Sequence, residues 1–134
     1  LQDLSLATVP SDVRILLGDS MGEMFMYYAA SDMAFIGGSL MKLGGQNLIE
    51  ACALGKPVLV GQHTFNFEAI TKDAVETGAV IRIQSAQELM DQANRLFQEE
   101  ASRTELGMKA KEFALRQHGA TDRTMALLAP LLEK

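Results

Sequence analysis

Short apolar runs alternate along the chain with longer segments in which apolar side chains recur at helical spacing. The runs are rich in aliphatic and β-branched residues and lie at residues 13–17, 33–36, 58–60 and 79–83. Each is closed by a glycine or a polar residue, so the pattern predicts four strands. Because helical segments separate these strands, we expect an α/β fold: a Rossmann-like parallel sheet with helices on both faces.

Glycine and capping residues mark where the predicted helices begin and end. Asp19 and Ser20 are candidate caps for a helix over residues 22–30. The glycine pair at 44–45 opens a segment rich in helix formers that ends at Gly55, and Gly78 ends a further helix over residues 68–77. Ser85 with Glu88 three residues later predicts a capping box at the start of the next helix. Residues 1–12 predict an irregular lead-in.

The carboxyl-terminal part of the chain predicts two more helices. The first covers residues 101–118 and should stop at Gly119, because glycine commonly follows the last helical residue. Thr121 or Asp122 should cap the second, which Pro130 is expected to shorten or kink.

The loops that follow the first three predicted strands indicate where a ligand would bind. They cover residues 19–23, 37–47 and 61–67. In open parallel sheets, ligands bind outside the carboxyl ends of the strands. The sequence therefore predicts a binding site where these loops meet.

The loop over residues 37–47 carries a glycine pair at each end, which lets the backbone approach a ligand closely. Its spacing matches neither a P-loop nor the Gly-x-Gly-x-x-Gly fingerprint of dinucleotide binding. It leads into a helix, and the free N–H groups at a helix start attract anions.

Asn47 and Glu50 admit two interpretations. Their spacing is that of a capping box, which would be purely structural. Alternatively, the N–H groups at this helix start hold a phosphate while the Glu50 carboxylate accepts hydroxyl groups of a ribose. The segment from Ser20 to Glu23 is likewise either a helix start or part of the site.

Composition narrows the function further. The 134 residues carry a net charge of -5, which argues against a broad nucleic-acid surface. The lone Cys52 is expected to be a small buried side chain, and Lys42 and His63 are expected at the surface. Neither a membrane span, nor a signal peptide, nor a cluster of metal ligands is evident. The chain starts without methionine, so we expect a piece of a longer protein.

Four motifs follow one another in an order that resembles a known family. They are Gly-Asp-Ser-Met-Gly-Glu-Met at 18–24, Ala-Phe-Ile-Gly-Gly-Ser-Leu at 34–40, Gly-Gly-Gln-Asn-Leu-Ile-Glu at 44–50 and Gly-Lys-Pro-Val-Leu-Val-Gly-Gln-His-Thr-Phe-Asn-Phe at 55–67. Together they resemble the C-terminal half of bacterial 3-deoxy-D-manno-octulosonic acid (Kdo) transferases, which act in lipopolysaccharide inner-core biosynthesis.

The resemblance implies that residues 1–134 are the C-terminal, CMP-Kdo-binding domain of a GT-B glycosyltransferase, cut short at its N-terminal side. Such an enzyme transfers Kdo from CMP-Kdo to a lipid A precursor at the cytoplasmic face of the inner membrane. The family's contacts to the CMP moiety map onto Met21, Gly22, Glu23, Asn47, Leu48, Ile49 and Glu50.

The resemblance also implies what this chain lacks. The general base and the acceptor site belong to the N-terminal domain, so the chain is expected to be soluble and inactive by itself. No metal or other cofactor is implied. At position 46 the family commonly has His, where this chain has Gln46.

Two alternatives remain open. In the first, the chain is the donor domain of another GT-B enzyme that uses a UDP-sugar. In the second, it is a non-catalytic nucleotide-binding module. Relative affinity for CMP, UMP and UDP distinguishes the first alternative. The sequence upstream of Leu1 distinguishes the second.

Overall fold

The structure is a computed structural model that describes residues 9–132, with the backbone alone for residues 120–122, 131 and 132. The predicted lead-in over residues 1–8 lies outside the described residues. The elements follow in the order α1 (Met24–Ala30), β1 (Ala34–Ile36), α2 (Ile49–Ala53), β2 (Val58–Val60), α3 (Glu68–Glu76), β3 (Ile81–Arg82), α4 (Ala86–Gln98) and α5 (Glu100–Leu132).

The three strands form one parallel sheet in the order β1-β2-β3. Ala34 lies opposite Val58 on the neighbouring strand, and Leu59 lies opposite Ile81 on the next. Each strand is followed by a helix that returns the chain to the other end of the sheet. The predicted parallel α/β fold is confirmed, and the loops after the strands emerge at the same edge.

Both faces of the sheet are covered. On one face, Ile36, Val58 and Val60 pack in a core that also holds Phe113 of α5. On the other face, Leu59 packs with Leu96 of α4 and with part of α5. Successive strand residues point to opposite faces, so the unbroken apolar run of β2 supplies both cores.

The predicted strand over residues 13–17 is wrong, since the described sheet contains only the three strands above. Ile15 and Leu17 are 88% and 83% exposed. A strand needs a neighbour for its backbone hydrogen bonds and burial for its side chains. Among the described residues nothing pairs with this segment, which instead runs past α1 beside Met26 and Tyr27.

Two helices begin later than predicted because glycines before them adopt left-handed backbone conformations. Gly22 has φ +80°, so α1 starts at Met24, with Glu23 rather than Asp19 or Ser20 as its N-cap. Gly44 and Gly45 have φ +89° and +71°, and the loop continues until α2 starts at Ile49. These angles are incompatible with a right-handed helix.

The last two predicted helices are one. Helix α5 runs without interruption from Glu100 to Leu132, through Gly119 and past Pro130. A glycine within a helix costs only about 1 kcal/mol relative to alanine, which the continuous backbone hydrogen bonding outweighs. The caps predicted at Thr121 and Asp122 are therefore wrong, because no helix starts there.

The remaining predictions agree with the structure to different degrees. Strand β2 has the predicted bounds, whereas β3 keeps only Ile81–Arg82 of the predicted five residues. The capping box at α4 is confirmed: the Ser85 hydroxyl accepts the Glu88 N–H at 3.1 Å, and the Glu88 carboxylate accepts the Gln84 N–H at 2.7 Å.

Candidate functional site

The loops after β1 and β2 are joined by a buried serine. The Ser39 hydroxyl donates to the Ile36 carbonyl at 2.5 Å and accepts the Gly61 N–H at 2.8 Å. The Ser39 carbonyl accepts the His63 N–H at 2.8 Å. A Cβ at position 61 would lie 2.3 Å from that carbonyl oxygen, so only glycine fits. Ser39 thus fixes the two loops against each other.

A second set of bonds joins the same loops further from the sheet. Gly44 accepts the Asn66 N–H at 3.2 Å, and the Asn66 side-chain amide donates to the Leu43 carbonyl at 3.3 Å. Within the first loop, the Gly45 N–H donates to the Gly38 carbonyl at 3.3 Å. The glycine pairs predicted to approach a ligand therefore also approach the neighbouring loop.

Strand β3 contributes a cation to this edge. The Arg82 guanidinium donates to the Gln62 carbonyl at 3.3 Å and lies 3.5 Å from the Thr64 hydroxyl. That hydroxyl is buried and donates to the Glu68 carboxylate at 2.8 Å. The predicted meeting of loops at one edge of the sheet is observed for the loops after β1 and β2, with β3 adding Arg82.

The capping box predicted for Asn47 and Glu50 does not form. The Asn47 side-chain oxygen accepts the Ile49 N–H at 3.0 Å, and Leu48, not Asn47, is the N-cap of α2. Among the described residues the Glu50 carboxylate has no hydrogen-bond or ion-pair partner. The N–H groups of Gln46 and Leu48 have no acceptor there either. The Glu50 carboxylate and the Gln46 N–H can therefore meet a ligand, whereas Leu48 is fully buried and its N–H is not accessible.

Glu50 lies close enough to α1 to affect its electrostatics. Burial raises the pKa of the half-buried Tyr28 hydroxyl, and the negative charge of Glu50, followed by that of a Cys52 thiolate, raises it further. Tyr28 also packs against the core beside Ile49. Tyr28 therefore keeps its proton beside an unpaired carboxylate.

The other predicted contacts precede α1. Met21 is 96% exposed, and Gly22 has open space where a Cβ would stand. Glu23 is the N-cap of α1, and its carboxylate accepts a hydrogen bond from the Ser20 hydroxyl. The Tyr27 hydroxyl lies 2.9 Å from the same Ser20 oxygen.

The structure thus places the predicted site residues in two groups, before α1 and at the start of α2. The helices pack against each other, but in the described part of the chain no hydrogen bond joins the two groups. Sequence reasoning missed Ser39 and Tyr27 as organising residues. Tyr27 follows Glu23 by four residues, a spacing that signals a shared helix face.

Cys52 is buried, as predicted, and burial raises the pKa of its thiol to about 12. Across the described residues, no group of three or more His, Cys, Asp or Glu side chains is arranged to hold a metal ion. None of the described helices is both long and apolar enough to cross a membrane.

Comparison with known proteins agrees with this geometry. Residues 2–113 match the sequence profile of the family described as "Glycosyl transferases group 1". The crystal structure of the C-terminal CMP-Kdo binding domain of WaaA from Acinetobacter baumannii is similar, with a TM-score of 0.68 and 35% identity. The match covers 72% of this chain and 50% of that one. The predicted GT-B half is thereby confirmed.

Curated relatives confirm the resemblance to Kdo transferases. The 3-deoxy-D-manno-octulosonic acid transferase of Bordetella pertussis is 48% identical over 87% of this chain, and that of Haemophilus influenzae is 40% identical over 92%. The chain covers only 27% and 29% of their lengths. By the extent of the profile match, the chain belongs to the group 1 glycosyl transferase family.

Proposed function

We propose that this chain is the donor-binding part of a glycosyltransferase that transfers Kdo from CMP-Kdo to a lipid A precursor in lipopolysaccharide biosynthesis. The observation that carries the proposal is the likeness, in both fold and sequence, to a solved CMP-Kdo binding domain. The identity of 48% to a Kdo transferase supports it. The longer protein would act at the cytoplasmic face of the bacterial inner membrane.

In this proposal the nucleotide lies between the two groups of predicted residues. Residues Met21, Gly22 and Glu23 contact it from one side and Asn47, Ile49 and Glu50 from the other, whereas Leu48, also predicted as a contact, is fully buried beneath them. The support is chemical: the Glu50 carboxylate is an acceptor without a partner, suited to the two hydroxyls of a ribose. The unpaired N–H group of the exposed Gln46 suits an oxygen of a phosphate.

The proposed reaction is an inverting displacement. A base in another part of the enzyme takes the proton from an acceptor hydroxyl, whose oxygen attacks the anomeric carbon of Kdo while CMP leaves. The present residues hold the donor in place and stabilise the charge on the departing phosphate. The catalytic base is not assigned to any residue of this chain.

Calorimetric titration of the purified chain with CMP, UMP and UDP tests the proposed donor. We expect CMP to bind more tightly than UMP, because the proposed donor is CMP-Kdo; the two nucleotides differ only in the base, so their comparison isolates base recognition. A preference for UDP would overturn the proposal in favour of a UDP-sugar donor domain. Failure to bind any of the three would remove the support for a nucleotide site.

Incubation of the chain with CMP-Kdo and a lipid A precursor tests the division of labour. We expect no transfer, because the proposed base lies elsewhere. Turnover by this chain alone would show that the base is among these residues and that the proposed division is wrong.

A further inference from the structure

Three polar side chains form a connected cluster before and within the first turns of α1. They are Ser20, Glu23 and Tyr27, each only partly buried. Ser20 is bonded to the Glu23 carboxylate, and its oxygen lies 2.9 Å from the Tyr27 hydroxyl. We call these residues the Ser20–Glu23–Tyr27 cluster.

Hydrogen counting fixes the direction of the bonds. A serine hydroxyl has one hydrogen to donate, and Ser20 uses it on the Glu23 carboxylate. The bond between Ser20 and Tyr27 is therefore donated by the Tyr27 hydroxyl. Each donation polarises the next, so the chain of bonds strengthens the contact to the carboxylate.

Glu23 links the cluster to the backbone of α1. The Glu23 carbonyl accepts the N–H groups of Met26 and Tyr27 at 3.0 and 3.2 Å. Its carboxylate turns back to Ser20, on the other side of Gly22. Glu23 is thus bonded through both its main chain and its side chain. The bond to Ser20 uses one carboxylate oxygen, Oε2. The other oxygen remains an acceptor.

Packing against Gly18 holds the Tyr27 ring where its hydroxyl can reach Ser20. A Cβ at position 18 would lie 2.6 Å from Cζ of the Tyr27 ring and 2.9 Å from its hydroxyl oxygen. The ring therefore rests against the backbone of Gly18. By contrast, Gly22 has no atom within 4 Å of a Cβ position, and Met21 is exposed. Side-chain packing among the described residues thus does not hold the turn at Met21 and Gly22, and the cluster is the bonded feature that flanks it.

We propose that Ser20 and Tyr27 are positioning residues. They orient the Glu23 carboxylate and, through it, hold the turn at Met21 and Gly22 in the shape that receives the nucleotide. This inference rests on the proposed function, in which Met21, Gly22 and Glu23 contact CMP. Tyr27 acts through Ser20 and does not touch the ligand.

Substitution of the two hydroxyl residues tests the inference by calorimetry with CMP and by thermal unfolding. We expect Tyr27→Phe and Ser20→Ala each to weaken CMP binding about 3- to 10-fold, the range that follows from losing one such hydrogen bond. Ser20→Thr keeps the hydroxyl and should retain most of the affinity. Ser31→Ala is the matched control, because Ser31 bonds the Tyr28 carbonyl at the opposite end of α1.

A double-mutant cycle separates positioning from a general effect on folding. In a Glu23→Ala background, Tyr27→Phe should change CMP affinity less than twofold, because the acceptor that Ser20 and Tyr27 orient is gone. An equal effect in both backgrounds, or no effect of Tyr27→Phe and Ser20→Ala in a chain that binds CMP, would overturn the inference alone. If the unmodified chain does not bind CMP, the proposed function fails first and this inference with it.

Discussion

The carboxylate of Glu50 offers the sharpest test of the proposed nucleotide site. We expect Glu50→Gln to leave the free energy of unfolding nearly unchanged, because within the described residues the carboxylate makes no hydrogen bond or ion pair that the change would break. Glutamine has almost the same shape and is as good a helix former. Any large effect on CMP binding would therefore come from contact with the ligand.

The size of that effect follows from the kind of bond lost. Hydrogen bonds to a charged group contribute about 1.5–3 kcal/mol. At about 1.4 kcal/mol for each tenfold change, CMP affinity should fall by about 10- to 100-fold. Calorimetry at constant pH and salt measures this fall, and thermal unfolding of the same samples checks that stability is retained.

Deoxy-CMP, which lacks the 2′-hydroxyl, completes the test as a double cycle. The unmodified chain should bind it more weakly than CMP, whereas the Glu50→Gln chain should distinguish the two nucleotides much less. Equal affinities in all four combinations would refute the ribose contact. Glu50 would then be only a half-buried acid in the first turn of α2.

The remaining predictions concern stability. Ser39→Ala should lower the free energy of unfolding, measured by urea denaturation, by about 2–3 kcal/mol. The reason is that it leaves the Gly61 N–H unpaired in the interior. A loss below about 0.5 kcal/mol would contradict this. In α5, Gly119→Ala should raise the melting temperature, whereas Gly107→Ala should lower it, since a Cβ there would lie 2.3 Å from the Gly55 carbonyl oxygen. Cys52 should resist thiol reagents at pH 8 until the chain unfolds; equal rates in the folded and unfolded chain would contradict its burial.

The raised pKa of the Cys52 thiol also predicts that stability depends on pH. Burial raises its pKa from the usual 9.0 to about 12 in the folded chain. Between these two pKa values the unfolded chain loses a proton that the folded chain keeps. The thiol's contribution to the free energy of unfolding is therefore complete below pH 9 and decreases as pH rises towards 12. The slope is at most about 1.4 kcal/mol per pH unit. The difference in unfolding free energy between the unmodified chain and Cys52→Ala should shrink accordingly from pH 8 to 10, and a constant difference would contradict it.

Local rules were enough where the deciding contacts are local. The Ser85 hydroxyl and the Glu88 carboxylate bond groups within four residues of themselves, so their spacing alone predicted the cap. The two loops after β1 and β2 were likewise predictable, since they follow from the order of strands and helices in a parallel sheet, whereas the loop over residues 19–23 was placed there by a strand that does not form.

Some errors arise where distant groups decide, whereas the late starts of α1 and α2 follow from glycines beside them. Whether residues 13–17 form a strand depends on a neighbouring strand, which no local pattern reveals. Gly119 looks like a helix end, yet the helix continues through it. Ser39 acquires its role only because the Gly61 backbone, 22 residues later, comes within 2.8 Å of its hydroxyl.

The bonding between the loops after β1 and β2 bears on how such a domain can evolve. These loops are held by the Ser39 hydroxyl, the Asn66 amide and main-chain groups, whereas the side chains of Met41 and Leu43 are exposed. Mutations at those two positions can therefore alter what the edge of the sheet presents to a ligand while leaving the bonds between the loops in place. In such a domain the loop backbone can stay constant while the exposed side chains change. This favours the divergence of donor specificity among descendants of one ancestral domain.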